Sequence, residues 1–112
     1  MRRGDVWWAS LPAPHGSSPD YRRPVVIVQS NDFNESRIQT IIIAAVTSNL
    51  SLTDAPGNFA LARKTAGLTR KSVVNVSQLL TISKSLLMTR IGRLDSSSLQ
   101  RLDDGLRLVL AL

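Results

Sequence analysis

The sequence predicts a mainly β chain with some helix: a small antiparallel barrel of roughly five to seven short strands, closed by a C-terminal helix. Three observations carry this. Short apolar, β-branched segments, Val25 to Gln29 and Thr40 to Thr47 foremost, are bounded by turn-forming residues. Strands and helices do not alternate regularly, which argues against a doubly wound sheet. Helical periodicity is clear only after Asp95. The 112 residues show no internal repeat and no linker, so residues 1–112 are expected to form a single domain large enough to bury a core.

Each element has its own warrant. Asp5 to Leu11 carries Val6, Trp7 and Trp8 and reads as an opening strand; the tryptophans should split between its two faces. Pro12, Pro14, Gly16, Ser17, Ser18 and Pro19 then make a long loop. Val25 to Gln29 is a buried strand entered through Pro24. Asn31 to Ser36 is a turn or one short helical turn. Thr40 to Thr47 is a second buried strand, and Ser48 to Asn58, with Asp54, Pro56 and Gly57, is another loop. Short strands follow at Asn58 to Ala62, Ser72 to Val76 and within Leu86 to Leu94. Asp95 is a good N-cap, and Leu99, Leu102, Leu106, Val109 and Leu110 recur at helical spacing, Leu106, Val109 and Leu110 as core or dimer packing. Gly105 costs this helix about 1 kcal/mol relative to Ala, so tertiary packing must hold it.

Fourteen Lys and Arg against eight Asp and Glu give a net charge of +6, which reads plainly as a solvated basic surface and, more sharply, as a surface for a polyanion partner, most often nucleic acid. The charge is spread over Arg22-Arg23, Arg63-Lys64, Arg70-Lys71, Arg90 and Arg93, so folding must assemble any basic patch. The chain has no cysteine, which excludes disulfides and thiolate chemistry and fits a reducing cytoplasm. Its longest apolar run, Ile41 to Val46, is too short to span a bilayer, and the polar Gly4-Asp5 after Met1-Arg2-Arg3 argues against a signal peptide.

The residue inventory narrows the chemistry. One histidine and eight scattered carboxylates suggest no metal site, and no cofactor is expected. There is no G-x-S-x-G, no P-loop and no dinucleotide fingerprint. What remains is chemistry for Arg, hydroxyls, Asp and backbone amides. Arg23, directly before Pro24 and a buried strand, is awkward for a charge unless it faces a groove. Thr47 and Ser48 end the hydrophobic strand, where their hydroxyls could point into that groove. The plainer readings are that Arg23 snorkels at a strand edge and Thr47 caps a strand end.

Across nearly its whole length the chain resembles the MazF/PemK-type toxins, the endoribonuclease partners of bacterial toxin–antitoxin pairs. The resemblance rests on Arg3-Gly4-Asp5-Val6-Trp7-Trp8, Gly16-Ser17 and Arg23-Pro24-Val25-Val26-Ile27-Val28. It continues in order through Asn31-Asp32, Asn34, Ala44-Ala45-Val46-Thr47-Ser48, Gly67-Leu68, Ser72-Val73-Val74, Gln78, Thr81-Ile82-Ser83-Lys84 and Asp95. It implies an SH3-like barrel of the CcdB/PemK type, a homodimer, and metal-independent, sequence-selective cleavage of single-stranded RNA, mRNA included. The products would be a 2′,3′-cyclic phosphate and a 5′-hydroxyl. It also implies inhibition by a cognate antitoxin whose acidic segment covers the RNA site. By this resemblance Arg23 and Thr47 are the catalytic pair.

One departure is the missing carboxylate after the loop's Gly-Ser: Ser18 stands where many relatives carry Glu. Asp20 is then the nearest replacement base, and His15, better matched in pKa, the second. Another is Ser77, where an acidic residue is common. Ser17, Ser18, Ser48, Gln78, Arg70 and Lys71 are the candidate RNA contacts, and Lys84 a plausible phosphate contact. An exposed tryptophan could stack a base. The rival reading is a non-catalytic toxin or binding module of the gyrase-poison type on the same fold; a third is a basic RNA-binding barrel of ribosomal type. Arg23-Pro24 together with Thr47 distinguishes the nuclease, since a pure binder has no need of that pair.

Overall fold

The computed structural model describes residues 1–11 and 21–112. Six strands, β1 (Asp5–Ser10), β2 (Arg22–Ile27), β3 (Thr40–Thr47), β4 (Phe59–Leu61), β5 (Ser72–Ser83) and β6 (Leu87–Arg93), form one curled sheet in the order β4-β5-β3-β2-β1-β6. Every neighbouring pair is antiparallel. A four-residue helical turn, α1 (Asn31–Asn34), links β2 to β3, and helix α2 (Ser96–Leu110) closes the chain. The expected barrel with its C-terminal helix is present as a half-barrel with two free edges, β4 and β6.

Alternation along the strands fills two cores. Val6, Val26, Ala44, Val46, Val74 and Val76 face α2 and meet its Leu102 and Leu106. Val25, Ile27, Ile41, Ile43 and Ile82 point to the other face, joined by Ala9 and Leu11. Trp7 packs beside this second core, while Trp8 on the opposite face is 38% exposed. The period of two thus splits the tryptophans as expected.

Two elements differ from the sequence reading. β2 begins at Arg22, with Pro24 inside it opposite Trp8. The β2–β3 ladder starts only at Val25, so that flank of Arg22 to Pro24 is open and a proline is tolerated there. β5 runs to Ser83 rather than ending at Val76. Its pairing with β3 jumps from Ala45↔Asn75 to Ala44↔Leu79. The residues between form a bulge, which hides the continuing strand because bulges break the two-residue period.

Helix α2 starts as its sequence dictates: the Asp95 carboxylate accepts a hydrogen bond from the Ser98 amide at 2.8 Å. That bond holds the Asp95 carboxyl below its ordinary range. Gly105 sits where the helix touches the chain before β4, and a Cβ there would overlap the Gly57 carbonyl oxygen. Leu106 is buried, but Val109 and Leu110 are 40% and 51% exposed and are not part of either core cluster.

Candidate functional site

The site begins where two strands part. Val25 opposes Ala45 and Val26 opposes Ala44. One step further in the same register, Arg23 stands across from Thr47, but no ladder joins the strands there. Each is anchored on its far side instead, Arg23 against Ala9 of β1 and Thr47 against Val73 of β5. Arg23 and Thr47 therefore share one end of the sheet, on adjacent strands, and the two-residue period puts them on the face of Val25 and Ala45.

Between the parted strands lies a cavity of about 450 Å³. Its apolar lining comes from Pro24, Val46, Leu68 and Ile91, with Trp8 as a wall. Arg22, Arg23 and Arg70 bring three guanidinium groups to it, and Ser48, Thr69 and Ser72 bring hydroxyls. Among the described residues no carboxylate lines it, and none of the three arginines has an ion-pair partner there. The Arg23 guanidinium lies over the Tyr21 ring, 5.4 Å from its centroid, which restricts the side chain. Its charge is half-buried at the mouth of a groove.

Thr47 is 9% exposed and lies beside the cavity rather than in its lining. Its Oγ1 accepts the Asn49 amide at 3.1 Å. The plainer reading of Thr47 as a strand-end cap is thus correct, but it does not exhaust the residue. A hydroxyl that accepts through oxygen still has a proton to donate.

The loop that brings Arg70 into the cavity is shaped by its backbone. Lys64 (φ 69°), Ala66 (φ 54°) and Gly67 (φ 80°) all lie in the left-handed region. Gly67 presses on β6 so closely that a Cβ would overlap the Ile91 carbonyl. Across the seam, a Cβ on Gly92 would overlap the Ala66 carbonyl. Two facing glycines thus let the loop close the half-barrel at the cavity.

Of the residues singled out in the sequence, Arg23, Ser48 and Arg70 come together here, with Thr47 adjacent. Lys71 is exposed next to Arg70, and Gln78 is exposed within the β5 bulge; neither lines the cavity. Lys84 is committed elsewhere, its Nζ donating to the Asn34 carbonyl at 3.1 Å. His15, Ser17, Ser18 and Asp20 lie outside the described residues. Arg22 and Thr69 received no role from the sequence. Arg22 alone had a signal, the Arg-Arg-Pro that opens β2.

Comparison with known proteins agrees with this architecture. Residues 2–110 match the model of the PemK-like, MazF-like toxin of type II toxin–antitoxin systems. Endoribonuclease MazF6 of Mycobacterium tuberculosis is 44% identical over 112 residues, covering 100% of this chain and 98% of that protein. Endoribonuclease EndoA of Bacillus subtilis is 34% identical, covering 100% of this chain and 96% of that one. A mycobacterial endoribonuclease solved in complex with its cognate antitoxin superposes with a TM-score of 0.79 at 21% identity, over 100% of this chain and 96% of that one, and so shares the fold. The sequence match and the shared half-barrel place this chain in the PemK-like, MazF-like toxin family, whose curated relatives at 34% and 44% identity are endoribonucleases.

Proposed function

We propose that this chain is a sequence-selective endoribonuclease toxin that cleaves single-stranded RNA without a metal and is restrained by a cognate antitoxin protein. The observation that carries the reading is the placement of Arg23 and Thr47 on adjacent strands at one end of the sheet, beside a cavity to which three arginines are brought.

Those residue types suffice because RNA brings its own nucleophile. The ribose 2′-oxygen attacks the adjacent phosphorus, the bond to the 5′-oxygen breaks, and the products are a 2′,3′-cyclic phosphate and a 5′-hydroxyl. The 2′-proton leaves to a base and the departing 5′-oxygen takes one up. Arg23 holds two phosphoryl oxygens in its planar fork and neutralises the charge that builds on them. Its role is electrostatic, since a guanidinium is a slow base at neutral pH. Thr47 donates its hydroxyl proton to a phosphoryl oxygen. Asp20 and His15 are the candidate bases. One histidine and no cysteine in the whole chain leave little from which to build a transition-metal centre, which supports metal independence.

The chain works as a homodimer in this reading. Leu108, Val109, Leu110 and Leu112, exposed at the end of α2, offer apolar surface for a second copy. The test is incubation of purified protein with a long unstructured RNA in excess EDTA, with the product ends mapped. Discrete cuts bearing a cyclic phosphate and a 5′-hydroxyl are expected; RNA left intact by the folded protein across many sequence contexts overturns the proposal.

A further inference from the structure

We infer that Tyr21 is a positioning residue of the reaction: its ring holds the Arg23 guanidinium in place and leaves the N–H fork free for the scissile phosphate. This rests on the nuclease reading above and deepens the part that Arg23 plays in it.

The ring is itself fixed. The Tyr21 carbonyl accepts the Leu11 amide at 2.8 Å, which carries the β1–β2 pairing one step beyond Ser10 and Arg22. Its side chain packs against the core that contains Ala9, Leu11, Val25 and Ile27. Arg23, two residues on, projects to the same side. Its guanidinium carbon stands over the ring, 5.4 Å from the centroid. That is within the roughly 6 Å over which a ring face attracts a cation.

Arg23 gains from such a hold. Its other neighbours on that face, Val25 along the strand and Ala9 across on β1, are buried and aliphatic. On the other flank the β2–β3 ladder stops at Val25, so no main-chain pairing with β3 steadies this end of β2. An unrestrained arginine samples many rotamers, and aiming it at each turnover costs entropy. A carboxylate partner would stop that motion, but it would occupy the N–H donors that the phosphate needs. An aromatic ring attracts the cation through its face and takes up no N–H. A guanidinium aimed in advance then needs no reorganisation as charge builds on the phosphoryl oxygens.

The test uses the full chain and single-turnover cleavage of an RNA with one mapped site. Tyr21→Leu and Tyr21→Met keep apolar cover on the core and remove the ring, whereas Tyr21→Phe keeps the ring and removes the hydroxyl. Either of the first two should lower the maximal rate about threefold to thirtyfold, the span of a ring–cation contact, and change half-saturation by less than about twofold. Tyr21→Phe should restore most of the rate with an unaltered pH profile. The Leu change made in an Arg23→Ala background should cost nothing further, because the ring acts through the guanidinium.

A second readout needs no cleavage. In nitrogen–proton NMR spectra the Arg23 Nε–H signal, assigned with Arg23→Lys, should be shifted upfield by the ring. Tyr21→Leu should abolish that shift and Tyr21→Phe should keep it. Equal rates in the native chain and in folded Tyr21→Leu or Tyr21→Met overturn the positioning role and leave the nuclease reading intact. An equal loss with and without Arg23 also overturns it, since Tyr21 would then act by another route. So does a rate that falls as far in Tyr21→Phe as in Tyr21→Leu, which would assign the effect to the hydroxyl. A shielded Arg23 in a native chain that cuts no RNA does the reverse: the ring holds the guanidinium and the nuclease reading falls.

Discussion

Gly67 and Gly92 face each other across the seam between the loop after β4 and strand β6, each too close to the opposing backbone for a side chain. Closure of the half-barrel at the cavity depends on this contact. Gly92→Ala should therefore destabilise the fold by about 2 kcal/mol, as overpacking does, and lower Tm by several degrees. Gly105→Ala is a sharper case. Helix propensity alone favours Ala by about 1 kcal/mol, whereas the Gly57 carbonyl and the Val76 side chain leave no room for it. A lower Tm in thermal denaturation is expected; a raised Tm would show that α2 can shift to accommodate a methyl group.

Asp5 should matter more than the exposed ion pair near it. Its carboxylate is 4% exposed, accepts the Arg2 amide at 2.9 Å and faces Arg90 Nε at 3.4 Å. Asp5→Ala strands these partners and should cost about 2 kcal/mol in urea denaturation. Arg2 and Glu35, 3.1 Å apart but 55% and 65% exposed, should contribute under about 1 kcal/mol, so Glu35→Ala should hardly move the midpoint.

The cap at Asp95 is expected to be pH-dependent. Its carboxyl is held low in the folded chain, chiefly by the Ser98 amide, so the unfolded chain binds that proton more readily. The stabilisation is then complete above the ordinary carboxylate pKa and is lost as pH falls through the lowered folded value. Comparison of the native chain with Asp95→Ala should show a Tm difference at neutral pH that shrinks in acid. A constant difference would place the effect in something other than the charged cap.

Self-association should respond to salt. Two copies, each at +6, repel at low ionic strength and are screened at higher salt. Analytical ultracentrifugation should find the dimer fraction rising with salt; a fraction unchanged from low to moderate salt counts against a charge-opposed dimer.

The sequence disclosed what is local. Strand periodicity, the split of Trp7 from Trp8 and the Asp95 cap each depend on neighbours within a few residues, and each was legible. The length of β5 was not, because the bulge around Gln78 interrupts its alternation. Nor was the meeting of Gly57 with Gly105, or of Gly67 with Gly92, which join segments far apart in the chain. For the same reason the site was half visible. Arg23 and Thr47 stood out as a charge and a hydroxyl at the ends of buried strands, but the cavity between those strands exists only because the β2–β3 ladder stops at Val25. Arg70 and Thr69 reach it through a loop whose left-handed residues carry no local signature beyond Gly67.

The most direct measurement is single-turnover cleavage in EDTA of two matched oligonucleotides spanning a mapped site. One is all-ribose; the other carries a single 2′-deoxyribose on the 5′ side of the scissile phosphate. The native chain should cut the first and leave the second intact, and Arg23→Ala should slow cutting of the first by roughly a hundredfold to a thousandfold, the scale of losing one transition-state charge contact. Cleavage of the deoxy-substituted strand at a comparable rate, or an undiminished rate in Arg23→Ala, would contradict a substrate-borne nucleophile steered by Arg23.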